Sequence, residues 1–302
     1  MMKILKVRKP SDYSSWVGQI DRHPLVSVID YGKVSPIRHS LNDYSVYGIF
    51  LRDDEAVIGL KYGCGDYDYK KGTLMCVAPG QIGGKEDDEE MVSITGWALL
   101  FHPDLLHGTP LEKEIRRYSF FDYRVNEALH MTDEEKDIIV GIMRQISNEI
   151  ENNPKDDSQD PIIIGIIGVL LNYCQRFYNR QFLTRRLANS DILSKFESLL
   201  KDYFSNNTQK EKGLPTVQYF ADTLCMSANY LGDLIKRISG ETAGNYIRRA
   251  IIQESKNRLV SGLSISETAY DLGFEYPQHF SRMFKKCTGI SPQEYLKERN
   301  KR

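Results

Sequence analysis

Between residues 277 and 288, side chains that donate and accept hydrogen bonds are interleaved with apolar ones. Phe280, Met283, Phe284 and Cys287 recur at three- and four-residue spacing, which predicts one buried stripe on a helix. Gln278, His279, Arg282, Lys285 and Lys286 fall off that stripe. A guanidinium and a carboxamide on a free helix face offer paired donors and acceptors, and lysines beside them offer point charges for oxyanions. Such a face is equipped to recognise a polar partner.

Residues for bond-making chemistry are harder to assemble. His102 and His107 in FHPDLLHG are the one close histidine pair, but five-residue spacing with Pro103 between them suits neither a helix face nor a metal site. There is no His-x-His, and no Ser/His/Asp, Cys/His or paired-carboxylate set stands out; the GCG at 63–65 is too short for a phosphate loop. Cys64, Cys76, Cys174, Cys225 and Cys287 are odd in number, scattered and without a CxxC, so neither a disulfide framework nor a structural zinc is expected. The expectation is a reduced, cytoplasmic protein that is not an enzyme and has no cofactor, metal or catalytic residues.

The elements that must position the polar face can be read on either side of it. Ser264 or Ser266 can cap a short helix, Ala269 permits close helix approach, and Gly273 supplies a left-handed stop. Tyr276-Pro277 then opens the helix that carries Arg282, with proline where its missing N–H costs nothing. Two short helices around a tight turn, the second bearing the polar face, form a helix-turn-helix. The unit also occurs twice. Ala221-Asp222-Thr223-Leu224 and Leu231 to Gly240 match Ala269-Tyr270-Asp271-Leu272 and Phe280 to Gly289, offset by 48 residues and one more across the turn. A duplicated supersecondary unit is a far stronger signal than either copy alone.

The stretch S-x-x-E-x-A-x-x-L-G-F-x-x-x-x-x-F-S-R-x-F-K-K-x-x-G-x-S-P-x-x-Y, Ser264 to Tyr295, resembles the C-terminal signature of AraC/XylS-type transcription regulators. The resemblance implies that Gln278, His279, Ser281 and Arg282 face the bases of duplex DNA. Arginine pairs bidentately with guanine and glutamine with adenine. The matching positions in the first copy are Asn229, Gly232 and Asp233, where the family more often has bulky polar or basic residues. Asp233 can accept from a cytosine amino group but also repels phosphate. Lys236, Arg237, Lys285 and Lys286 follow the base-facing turns and suit the phosphate backbone. The partners implied are double-stranded DNA, a small-molecule effector, a second copy of the chain and RNA polymerase.

Residues 191–302 hold 17 Lys and Arg against 13 Asp and Glu, although the whole chain carries a net charge of −1. A basic excess there agrees with phosphate binding. The region opens with a helix whose Ile192, Leu193, Phe196, Leu199, Leu200, Tyr203 and Phe204 form an apolar face. Thr242 caps a helix that joins the two motifs and runs to Val260. A linker is expected at 181–190.

Upstream, β-branched and aromatic residues between turn residues predict strands at 25–29, 45–51, 56–62, 72–78, 91–94 and 96–101, an all-β barrel or sandwich. Residues 69–80 resemble a strand pair of the cupin-like sensor domain found ahead of many such DNA-binding halves. The fold expected is therefore α+β: a cupin-like β-barrel with two following helices at 1–180, then an all-α tandem helix-turn-helix domain. Arg38, His39, Tyr47, Tyr62 and Trp97 offer the aromatic walls and polar handles of an effector pocket. Thr132 caps the first of the two helices. The second, from Ile162 to about Asn179, is apolar nearly all round in its first half, which calls for burial on more than one side. Family resemblance favours a dimer contact there. Its ten-residue apolar run, 162–171, is shorter than the ~20 residues that span a bilayer, so no membrane partner is expected. The rival reading is a cupin-type enzyme or binding module whose helical domain serves protein contacts.

Overall fold

The structure, a computed structural model, describes residues 4–53, 72–85, 87, 89–124, 127–152, 156, 158–184 and 186–299, the side chains of 186–190 and 299 excepted. The strand expected at 56–62, with Tyr62, lies outside the described residues. The chain divides into two compact units, Met1–Gln181 and Phe182–Arg302.

In the first unit β1 (Ile4–Val7), α1 (Pro10–Trp16), β2 (Val26–Asp30), β3 (Ile37–Arg38), β4 (Leu41–Tyr44), β5 (Tyr47–Arg52), β6 (Thr73–Val77), β7 (Ile82–Gly84), β8 (Met91–Val92) and β9 (Gly96–Phe101) are followed by α2 (Pro110–Glu114), β10 (Leu129–His130), α3 (Asp133–Asn152) and α4 (Gln159–Thr184). Five strands make the main sheet in the order β10-β6-β5-β9-β2, all antiparallel. A second sheet, β1-β4-β7, pairs β1 with β4 in parallel, and β3 pairs with β8. The described strands thus form three sheets, not the single closed barrel expected.

Alternation along the strands sorts side chains onto two faces of the main sheet. Phe50, Ala98 and Leu100 join Tyr13, Ile29, Tyr31 and Tyr44 in one buried cluster. Tyr47 and Trp97 stand one residue out of phase and face the other way. Tyr47 stacks on Phe101 with ring centroids 5.2 Å apart, and the Arg144 guanidinium of α3 lies 5.5 Å over Trp97. On α3, Ile139, Ile142, Met143 and Ile146 are buried, and Thr132, the expected cap, forms a reciprocal cap with Glu135. Helix α4 is 26 residues long and by length and composition could cross a membrane. Ile163, Ile167, Leu170, Leu171, Cys174, Phe177 and Tyr178 are nevertheless buried within the unit, the packing of a core helix. The remaining apolar face, Ile162 and Val169 with half-buried Ile166 between them, is presented outward.

The second unit is helical: α5 (Arg186–Ser205), α6 (Gln209–Lys212), α7 (Val217–Thr223), α8 (Ala228–Ser239), α9 (Ala243–Val260), α10 (Ile265–Asp271), α11 (Pro277–Thr288) and α12 (Pro292–Arg299). Residues 181–184 and 186–190, where a linker was expected, have helical backbone. Phe196 of α5 meets Phe220 of α7 edge-on at 5.2 Å and Tyr246 of α9 at 6.1 Å, so the first motif and the joining helix share one aromatic core. In the second motif Phe280 and Phe284 are fully buried, each contributing about 2 kcal/mol from surface removed from water.

Candidate nucleic-acid interface

Each motif is built by the same local rules. Thr216 and Ser264 cap the leading helices α7 and α10, and the Ser264 cap is reciprocal with Glu267. The Ser264 hydroxyl thereby draws the Glu267 carboxyl below its ordinary pKa. Both trailing helices, α8 and α11, end on left-handed glycines, Gly240 and Gly289. α10 begins 48 residues after α7 and α11 begins 49 after α8, so the extra residue sits in the turn.

Gly273 fixes that turn in the second motif. Its φ is +90°, and a Cβ there would stand 2.8 Å from the Gly213 carbonyl carbon and 3.0 Å from the Gln209 carbonyl oxygen. Only glycine permits this approach. Asp271, two residues earlier, accepts from Arg258 Nε of α9 at 2.5 Å and pairs with Lys210 at 3.2 Å. Arg258 also donates to Glu254 at 2.9 Å. The Arg258 hydrogen bond holds the Asp271 carboxyl below the usual carboxylate range. These contacts bind the second motif to the joining helix.

On α11, Gln278, His279, Arg282, Lys285 and Lys286 are exposed and Ser281 is half-buried. Gln278, Arg282 and Lys286 have no hydrogen-bond or ion-pair partner among the described residues, which leaves their donors for another molecule. His279 meets the ring of Tyr276 edge-on at 5.4 Å, and Tyr276 is itself 53% exposed. This aromatic neighbour was not singled out from the sequence, although its place just before Pro277 sets it at the mouth of the helix. Cys287, expected in the buried stripe, is exposed instead. The stripe ends at Phe284, and the last turn of α11 carries its side chains clear of the core.

The first motif presents a different face. Asn229 is exposed, and Gly232 and Asp233 are half-buried. Asn229 and Asp233 each already engage other groups of the protein. A Cβ at Gly232 would meet nothing within 4 Å, so this part of α8 is bare backbone. Lys236 and Arg237 are exposed in the last turn of α8, as Lys285 and Lys286 are in α11, where cations also complement the helix end. Between the motifs, α9 runs 18 residues, about 27 Å at 1.5 Å per residue, from its Thr242 cap.

Within the first unit two of the residues named for an effector pocket meet at one cavity. A cavity of about 570 Å³ is lined by Arg38 and His39, but not by Tyr47 or Trp97, which lie on the opposite sheet face. In their place stand Tyr13 and Trp16 of α1, a helix whose short span gave no periodic signal in the sequence. The Tyr13 and Tyr31 hydroxyls lie 2.7 Å apart, and Asn42 donates to the Tyr44 hydroxyl at 3.1 Å. Burial raises all three phenols above their ordinary pKa, so they stay protonated. His102 accepts from the Asp104 backbone N–H and His107 lies near Glu112, and the two point to no shared site. No group of three or more potential metal ligands occurs among the described residues.

A family profile described as a helix-turn-helix domain matches residues 220–298. The uncharacterized transcriptional regulatory protein YesN of Bacillus subtilis (strain 168) is 30% identical over 134 residues, 43% of this chain and 35% of that protein. The arabinose operon regulatory protein of Salmonella typhimurium is 28% identical over 121 residues, 38% of this chain and 42% of its own length. Among solved structures, the C-terminal domain of AraT, a response regulator from Geobacillus stearothermophilus, is similar at 27% identity and a TM-score of 0.32, covering 35% of this chain and 84% of that one. The chain spans about half or less of the length of the curated relatives it matches.

Proposed function

We propose, on the premise that residues 220–298 form an AraC-type helix-turn-helix domain, that this protein is a sequence-specific DNA-binding transcription regulator working in the cytoplasm. The observation that carries the reading is the α11 face: Gln278 and Arg282 exposed and unengaged among the described residues, on a helix held rigidly by buried Phe280 and Phe284. Arg282 and Gln278 supply the bidentate donors and acceptors that read guanine and adenine, with His279 and Ser281 beside them. Lys285 and Lys286 sit where phosphates would pass, as Lys236 and Arg237 do in the first motif. Successive major-groove faces lie about 34 Å apart, and a joining helix of about 27 Å can carry a recognition helix at either end toward one side of the duplex. The first motif reads fewer bases, because Gly232 brings no side chain and Asn229 and Asp233 are engaged within the protein.

In the same reading residues 1–180 are a cupin-like effector-binding and dimerisation domain and residues 191–302 the DNA-binding domain. The cavity of the first unit takes the effector. The outward stripe Ile162, Ile166 and Val169 on α4 meets a second copy, since an apolar helix face is stable only when covered. RNA polymerase is a partner once the protein sits at a promoter, and no step of the reading needs catalysis.

The test is a titration of the full chain against genomic-site and scrambled duplexes at two salt concentrations, the sites taken from genome-wide mapping of bound DNA. The reading requires a steep fall of affinity with salt and a preference for the mapped sites. Equal binding to both duplexes would refute it.

A further inference from the structure

The cavity of the first unit has a chemical character that its place in the fold does not require. Its volume of about 570 Å³ falls in the range of small-molecule sites. One wall is a continuous aromatic surface. Tyr13 contacts both Trp16 and Phe50 at 5.7 Å between ring centroids, and Tyr44 contacts Phe50 at 5.9 Å. Flat, rigid faces of this kind stack on the ring of a ligand at small entropic expense. The hydroxyls at this wall can still accept or donate once more beyond the contacts they make, because each phenol has one donor and two acceptor sites.

Charge sets the second requirement. Among the described lining residues Arg38, Arg52, Lys85 and Arg124 are cations, the last three with contacts of their own inside the protein, and Asp122 is the one carboxylate. The whole chain is nearly neutral, at a net charge of −1, so a cluster of four cations around one concavity is not a reflection of composition. The four are not equivalent. Arg38 is half-exposed and held at the rim by Asp87 at 3.0 Å and Glu89 at 3.8 Å. Arg52 closes β5 two residues after Phe50, hence on the same sheet face as the aromatic wall. Its positive charge acts on the Tyr13 and Tyr31 hydroxyls, in the direction that favours an anion at that end of the cavity.

We infer that this cavity binds a small ring-bearing oxyanion, with the ring against Tyr13, Trp16 and Phe50 and the oxyanion toward Arg52. The inference rests on the first unit being an effector domain and names the class of effector. Aromatic carboxylates, sugar acids and sugar phosphates share this chemistry.

Matched probes separate those sources from one another and from neutral ligands. Calorimetric titration of the full chain would compare benzoate with benzamide, glucuronate with glucose, and glucose 6-phosphate with inorganic phosphate. In at least one pair the ring-bearing anion is expected to bind about tenfold or more tighter than its mate, equivalent to about 1.4 kcal/mol. Arg52→Gln should abolish that preference and Arg52→Lys should keep most of it. Trp16→Ala, which leaves every cation in place, should weaken the ring-bearing anion while leaving the anionic preference intact. This second variant keeps the test decisive if Arg52→Gln does not fold. Equal binding of neutral mates, binding of ring-free phosphate as tight as the sugar phosphate, a preference that survives Arg52→Gln, or no binding by any probe would each overturn the inference. Duplex titration on the same preparations separates the two levels. Intact sequence-specific DNA binding without ligand preference removes the cavity inference alone, and ligand preference without DNA binding removes the regulator reading alone.

Discussion

Cys225 and Gly273 occupy the same place in the two motifs, 48 residues apart, and both hold a left-handed backbone, at φ +59° and +90°. A side chain in this conformation costs roughly 1–2 kcal/mol, which glycine avoids. The first turn tolerates that cost, whereas the second cannot take a side chain at all, because Gly213 and Gln209 close on it from α6 and the residue after. The same chain path is therefore held in two ways, by strain in one motif and by close backbone packing in the other.

Gly273→Ala should destabilise the protein by about 3 kcal/mol, from the positive φ together with overpacking against backbone. Cys225→Gly should shift stability by less than about 1 kcal/mol, since relief of strain and loss of chain entropy oppose each other. Urea unfolding of the two variants checks this. Similar costs for both would mean that the Gly273 approach is not tight.

Arg282→Ala should weaken binding to a mapped site by about 1–3 kcal/mol and relax preference at one base pair. Lys285→Ala should weaken all duplexes alike and flatten the salt dependence. Anisotropy titrations over a set of single-base-pair variants distinguish the two. An unchanged base preference in Arg282→Ala would remove α11 from the role of reading helix.

The Arg258 hydrogen bond lowers the Asp271 pKa in the folded protein from its ordinary value of 3.8. A depressed carboxylate pKa contributes stability above the unfolded value, and that contribution disappears as pH falls through the folded one. Asp271→Asn should therefore cost roughly 1–2 kcal/mol near neutral pH, the usual loss for a charge-assisted hydrogen bond. The gap to the parent should close as pH drops below the ordinary carboxylate range. Denaturant midpoints at neutral and acid pH check it, and a gap that widens toward acid would exclude this pair as the cause.

Val169→Glu should convert a dimer of the full chain to a monomer in sedimentation at micromolar concentration while leaving the circular dichroism of the folded chain unchanged. Val169 is 49% exposed, so the substitution buries no charge in the core. A parent chain that already sediments as a monomer would dispose of the α4 contact.

How far the fold could be read from sequence follows from how local its causes are. The second motif was legible almost residue by residue, because Ser264, Gly273, Pro277 and Gly289 act on their own neighbourhoods and Phe280 and Phe284 declare one face. Cys287 misled at the point where the core ran out before the helix did. In the first unit the strands β2, β5, β6 and β9 lie within a residue or two of their expected places. The lining of the first unit's cavity was only half legible. Which residues line it depends on the register of β5 with β6 and β9, set between segments tens of residues apart. Arg38 and His39 line it, whereas Tyr47 and Trp97 fell on the wrong side of an alternation that begins from an unknown phase. The parallel pairing of β1 with β4 and the short helix α1, which brings Tyr13 and Trp16, had no local signature.

Helices α8 and α11 are copies in backbone but not in what they carry: Asn229, Gly232 and Asp233 on one, Gln278, His279, Ser281 and Arg282 on the other. Their order is fixed by α9, which joins them within a single chain. On the proposed function, a reader with unlike ends leaves a footprint that has a head and a tail. Its site need not be a palindrome, and turning that site around on the DNA points the protein the opposite way along the chromosome.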